Sequence, residues 1–140
     1  MILLDTNVIS EVMRPRPDLA VVAWFQSRPR KEFWTSTVVV AELLSGIDLM
    51  PAGRKQRELR DAVEGMLRED FRGQILSFDL AGARCFGQIL SVRRRLGRPI
   101  NGPDALIAAT ALATGATLAT RNTRDFADCE IALVNPWLHG

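Results

Sequence analysis

Four residues near the start, Ile2-Leu3-Leu4-Asp5, constrain this 140-residue chain more than any other stretch. A short apolar run that ends in a carboxylate reads as a buried strand delivering an acid to its carboxyl end. Open α/β sheets place their chemistry there. Asp is also a favoured helix N-cap, and residues 8–13 can be helical, so Asp5 has a purely structural reading too. What separates the two readings is whether other acids occupy equivalent places downstream.

The rest of the chain alternates strand-like and helical runs. Residues 33–36 read as a second strand, 74–78 as a third, 116–119 as a fourth and 131–134 as a last short one. Between them the pattern predicts one or two helical turns at 8–13, broken by Pro15 and Pro17, and a helix at 19–27 capped by Asp18. A helix from 38 to about 50 follows, capped by Ser36 or Thr37, with Val39, Leu43, Ile47 and Met50 on one face. Residues 54–71 form a long amphipathic helix with a solvated charged side, and 80–96 another, capped by Asp79. Pro103 suits the first position of one more helix, whose stretch 105–114 carries no charge and is therefore buried nearly all round. The expected fold is a single domain over residues 1–140, an α/β three-layer sandwich with a mainly parallel central sheet.

Composition narrows the chemistry. With 47% hydrophobic and 24% charged residues the chain is of ordinary globular type. No apolar run reaches membrane-span length, and the N-terminus lacks a signal-peptide layout, so the expectation is a cytoplasmic protein without membrane contact. Cys85 and Cys129 lie far apart and the one histidine, His139, stands at the chain's end, which excludes a zinc site and argues against Ser–His or Cys–His nucleophilic catalysis. If the chain has a catalytic site, its chemistry must come from carboxylates. The net charge is a modest +2, but only Lys31 and Lys55 among the 18 cations are lysines, and arginine suits forked contacts with phosphate and carboxylate.

The acids fall into a pattern. Asp5 follows the first strand, Glu42 lies in the helix after the second amid apolar neighbours, Asp104 opens the buried helix, and Asn122 and Asp125 follow the fourth strand. In a parallel sheet the carboxyl ends of the strands share one edge, so these groups can converge. Carboxylates brought together repel, and a hard divalent cation bound through oxygen is the ordinary way to keep them ionised. Asp104 and Asp125 each also have a reading as helix-start acids favoured by the dipole.

The ordered segments Leu-Asp-Thr-Asn at 4–7, Val-Ala-Glu-Leu at 40–43, Pro-Asp-Ala-Leu-Ile-Ala-Ala-Thr from 103 and Ala-Thr-Arg-Asn-Thr-Arg-Asp-Phe from 119 closely resemble the PIN-domain ribonucleases. Within them the likeness is to the VapC and FitB toxins of type II toxin–antitoxin pairs, and it extends to the closing Asn135-Pro136-Trp137. That resemblance implies a Mg²⁺- or Mn²⁺-dependent endoribonuclease acting on RNA. It implies a homodimer or a higher toxin–antitoxin assembly, held by a VapB/FitA-type antitoxin through which alone operator DNA is bound. Asp5, Glu42 and Asp104 match the family's metal-binding acids. Asp125 or Asn122 matches the fourth position, and Asn7 and Thr120 match supporting polar residues. An antitoxin tail carrying Arg would enter the acidic cleft, with the segment around Trp24 and Phe25 and the helix 38–50 as apolar anchors.

Three alternatives are weaker or different in substrate. A receiver-like signalling module needs an adjacent acidic pair and a lysine after a late strand, and the only lysines here, Lys31 and Lys55, lie in the wrong half. A catalytically silent PIN-like module would have lost the first or third acid, and both are present. A PIN/FEN-like DNA nuclease shares the same site chemistry, since paired cations do not by themselves distinguish RNA from DNA.

Overall fold

The computed structural model describes residues 1–138; His139 lies outside them. The first strand, β1 (Ile2–Leu4), is buried along its whole length, as a strand between helical layers must be. Around it run α1 (Thr6–Val12), α2 (Leu19–Gln26), β2 (Phe33–Ser36), α3 (Thr37–Asp48) and α4 (Arg54–Glu69). The chain continues through β3 (Ile75–Leu76), α5 (Leu80–Arg95), α6 (Gly102–Thr114), β4 (Thr117–Ala119) and β5 (Leu133–Val134). The strands form one sheet in the order β3-β2-β1-β4-β5, and every pairing is parallel.

That order has a consequence for function. The chain starts in the middle of the sheet, builds β2 and β3 on one side, and returns to add β4 and β5 on the other. Connections leaving β1 and β4 therefore diverge, and a crevice opens beyond the carboxyl ends of these two neighbours. α6 packs against α5 and α3, and its Ala105, Ile107, Ala108, Ala109 and Ala111 are buried. A helix this poor in bulk lets its neighbours approach closely. Gly115 ends it in the left-handed region at φ 71°, where the missing side chain matters.

Caps account for most helix starts. Asp18, Ser36, Asp79 and Asn101 each accept a backbone N–H from the first turn of the following helix. Trp24 is only 2% exposed and forms an aromatic cluster with Phe25 and Phe33, at centroid separations of 5.0 and 5.4 Å. It belongs to the core, so of the expected pair only Phe25, half-buried, is open to a partner. None of the described helices is long and apolar enough to cross a membrane.

Thr35, in β2, is fully buried, and its hydroxyl has no partner among the described residues. Burying an unpaired hydroxyl is unfavourable, and Val keeps the shape without it. Thr35→Val is expected to raise stability by about 1 kcal/mol, read as a higher urea midpoint at constant slope. A lower midpoint would mean that the hydroxyl has a buried water partner.

Candidate active site

The site begins where β1 and β4 end. Leu4 pairs with Ala119, and the ladder runs one step further, the Asp5 N–H donating to the Ala119 carbonyl at 2.9 Å. Asp5 and Thr120 thus emerge side by side, and the Thr120 hydroxyl donates to Asp5 Oδ2 at 2.8 Å. Asn7 Nδ2 donates to Thr120 Oγ1 at 3.3 Å and lies 3.4 Å from Asp5 Oδ2. Its Oδ1 accepts the Arg121 N–H at 3.2 Å, so one side chain ties the turn after β1 to the turn after β4.

Both readings of Asp5 hold in part. It occupies the N-cap position of α1, and its carbonyl accepts from Val8 and Ile9. Its carboxylate reaches only the Thr6 N–H, at 2.8 Å, and not the second or third amide that a capping side chain serves. The other oxygen faces Thr120 and Asn7.

Glu42 approaches from the second turn of α3, and the Thr6 hydroxyl donates to its Oε1 at 2.7 Å. Asp104 lies in the first turn of α6, half-buried. There Asn101 accepts the Asp104 N–H at 2.8 Å and donates back to Asp104 Oδ2 at 2.9 Å, capping the helix and steadying the acid together. Asp125 comes from the 3₁₀ turn Thr123–Phe126. It lines, with Asp104, Asn101 and Arg93, a polar cavity of about 100 Å³. Asn122 joins only through its backbone, the N–H donating to Thr120 Oγ1 at 3.1 Å.

The acids feel one another. Asp5 is 5% exposed, and burial pushes its pKa up to about 6; the charges of Asp104 and Glu42 add to this, while hydrogen bonds from Thr120 and Thr6 oppose it. Burial also raises Asp104, with Asp125 and Glu42 adding, against Asn101 and Arg93. Asp104 therefore links an inner acid, Asp5, to an outer one, Asp125. Among the described residues no three Asp, Glu, Cys or His side chains are gathered tightly enough to hold an ion by themselves.

Three contributors escaped sequence reasoning. Thr6 stands between two recognised residues, and nothing local says that its hydroxyl reaches a helix 36 positions away. Asn101 carries the signal of an N-cap before Pro103 and could have been found. Arg93 reads in sequence as a cation complementing the end of α5, yet it lines the cavity. At the edge of the cleft Arg121 lies over the Trp137 ring, 5.1 Å from its centroid.

An all-parallel sheet with an acidic, oxygen-only cleft at its switch point defines the class of α/β protein to which this chain belongs. The profile of the PIN domain family matches residues 2–131, and the chain is a member of that family. It is 42% identical over 137 residues to the toxin FitB of Neisseria gonorrhoeae, covering 98% of this chain and 99% of the relative. It is 38% identical over 137 residues to the VapC ribonuclease Y4jK of Sinorhizobium fredii, covering 98% of both. A solved structure of FitAB bound to an IR36 DNA fragment superposes with a TM-score of 0.90 at 42% identity, covering 98% of this chain and 96% of the other.

Proposed function

We propose that this protein is the toxin of a type II toxin–antitoxin pair and acts as an endoribonuclease that hydrolyses RNA phosphodiester bonds with Mg²⁺ or Mn²⁺. The observation that carries the reading is the gathering of Asp5 and Glu42, bridged by Thr6, with Thr120 at the β1/β4 crevice, where the charge of Asp104 also reaches Asp5. Relatives named as a VapC ribonuclease and a FitB toxin support it.

The donor set is all oxygen, which suits a hard cation. Because no three of the described acids are gathered tightly enough to cage an ion, the site suits one that keeps several waters and takes phosphate oxygens, which is the habit of magnesium. Asp5, Glu42 and Asp104 would hold it. When bound, the cation polarises the phosphodiester and acidifies a water molecule.

The chain's own groups do the rest. Thr120 and Asn7 hold the Asp5 carboxylate in one orientation, and Thr6 does so for Glu42. Asp125, exposed and lining one cavity with Asp104, would orient the attacking water or help to hold a second cation; Asn122 supports the Thr120 turn through its backbone.

A VapB/FitA-type antitoxin is the proposed partner, with operator DNA bound through it and with the toxin as a homodimer in the cytoplasm. A groove of about 400 Å³ starts at Thr6 and Glu42 and runs along α3 past Leu43, Ile47 and Met50 to Val63. An apolar helix could lie in it and deliver an Arg to the acids.

The test is cleavage of RNA and DNA oligonucleotides of one sequence by the purified chain, with Mg²⁺ or Mn²⁺ and with excess chelator. RNA should be cut only when the metal is available, and DNA left intact. Equal cutting of DNA would move the assignment to a DNA nuclease, and full activity in chelator would remove the cation from it.

A further inference from the structure

Arg93 sits in the last turn of α5 but is 5% exposed, whereas its neighbours Arg94 and Arg95 are exposed. A cation that merely complements a helix dipole stays in solvent. A buried guanidinium persists only where hydrogen bonds replace its water. Here Nε donates to the Arg98 carbonyl at 2.7 Å, and Nη1 donates to the carbonyls of Asp125 and Ala127 at 2.7 and 3.1 Å. The fork thus joins the loop that leads into α6 to the turn that carries Asp125. Its remaining edge lines the cavity it shares with Asp104 and Asp125.

The segment it grips is unfavourably wound. Asp128 and Glu130 have φ of 60° and 59°, a left-handed region that non-glycine residues adopt only when their surroundings compel it. Arg98 adds a second tie through its ion pair with Asp128. Besides the fork, the turn is held by that exposed pair, by its own short-range bonds (the Asp125 N–H to the Asn122 carbonyl, the Ala127 N–H to the Arg124 carbonyl, the Asn122 N–H to Thr120 Oγ1) and by the burial of Phe126 and Cys129; among these contacts only the fork ties it to α5.

We propose that Arg93 is a positioning residue: its fork sets Asp125 against Asp104, so that the outer half of the acidic cleft forms only while both arms are engaged. This rests on the reading of these acids as the cation and phosphodiester site. Lysine cannot substitute, because one ammonium presents its donors from a single point and cannot span two segments.

The experiment compares Arg93→Met and Arg93→Lys with Arg95→Met, a change at an exposed neighbour. Three readouts are used: Mn²⁺ binding followed by the resonance of the free ion, backbone hydrogen exchange, and RNA cleavage at saturating Mn²⁺. Arg93→Met should weaken Mn²⁺ binding about tenfold and speed exchange at residues 123–129 by a similar factor, with β1 and β4 unchanged. Arg93→Lys should fall nearer to Met than to the parent, and Arg95→Met should match the parent. In cleavage, Arg93→Met combined with Asp125→Ala should be no worse than the worse single change, since both act through one carboxylate. Mn²⁺ binding and exchange within twofold of the parent in a folded Arg93→Lys protein would overturn the proposal, as would additive losses in the double variant. If Arg93→Met does not fold, the Lys variant decides alone. If the parent neither binds Mn²⁺ nor cuts RNA, the functional reading fails, and exchange at 123–129 still decides whether the fork holds the turn.

Discussion

Asp104→Asn should cut RNA at least about a hundredfold more slowly than the parent at any Mg²⁺ or Mn²⁺ concentration, the size expected when several kcal/mol of charge stabilisation are removed. The replacement has the same shape, the Asp104 N–H keeps its bond to Asn101, and the new amide oxygen can still accept from Asn101 Nδ2. Circular dichroism should therefore stay native, and the thermal midpoint in chelator should not fall, while activity is lost. Asp5→Asn should lose activity to a similar extent, because it removes the innermost charge of the same group. Asp125→Ala should cost far more than Asn122→Ala, since Asp125 shares the cavity with Asp104 whereas Asn122 contributes a backbone N–H that alanine keeps. Turnover by Asp104→Asn close to that of the parent would remove this acid from the chemistry, and a reversed order of the other two would move the fourth position to residue 122.

Much of this site is legible in the sequence because its signals are local. The apolar run into Asp5, the caps at Ser36 and Asp79, and Pro103 ahead of Asp104 each specify a strand end or helix start within a few residues. Strand–helix alternation then brings the acids to one edge. What stays hidden is set by contacts between distant segments. The third strand, expected over 74–78, is reduced to Ile75–Leu76 because the Gln74 N–H closes the turn after α4 on the Phe71 carbonyl and Phe78 turns its N–H to Thr37 Oγ1. The last strand starts at Leu133, just after the left-handed Asp128 and Glu130 have redirected the chain. Trp24 is expected as an apolar anchor for a partner's tail, and only the placement of Phe33 shows that it faces the core. Arg93 is the same case with a charge: three consecutive arginines look equivalent until the fold buries one of them.

The architecture also separates two tasks within the acidic group. Asp5 is fixed by strand register, through the Ala119 carbonyl and the Thr120 hydroxyl, so its position is as rigid as the sheet. Asp125 is carried by a short turn held from outside by a side chain of α5. Rigid placement at the inner end and a separately tethered placement at the outer end are what the proposed function would ask of a cleft that holds a cation and admits a polymer.

Asp5→Asn should make the metal-free protein more stable, and the gain should depend on pH. The folded pKa of Asp5 is about 6, above the ordinary 3.8, so as pH rises the unfolded chain ionises first. Ionisation therefore favours unfolding: the parent loses stability progressively from roughly pH 4 to pH 6 and carries the full penalty above that, on the order of 2–3 kcal/mol. Asparagine carries no such penalty. Its oxygen can accept the Thr6 N–H, but Thr120 Oγ1 already accepts from Asn7 and Asn122, so the amide meets no free acceptor there and part of the gain is offset. The thermal midpoint in chelator should accordingly rise by roughly 3–10 °C in Asp5→Asn at neutral pH, and the difference should vanish towards pH 4. Added Mn²⁺ should reverse the order, because a cation that binds only the folded parent stabilises it by mass action and gives the variant little. The measurement is a set of thermal melts of both proteins from pH 4 to pH 8, in chelator and in Mn²⁺. A variant less stable than the parent at every pH in chelator would mean that the carboxylate's main work is to hold Thr6, Asn7 and Thr120 together, and that the strain assigned to its charge is not there.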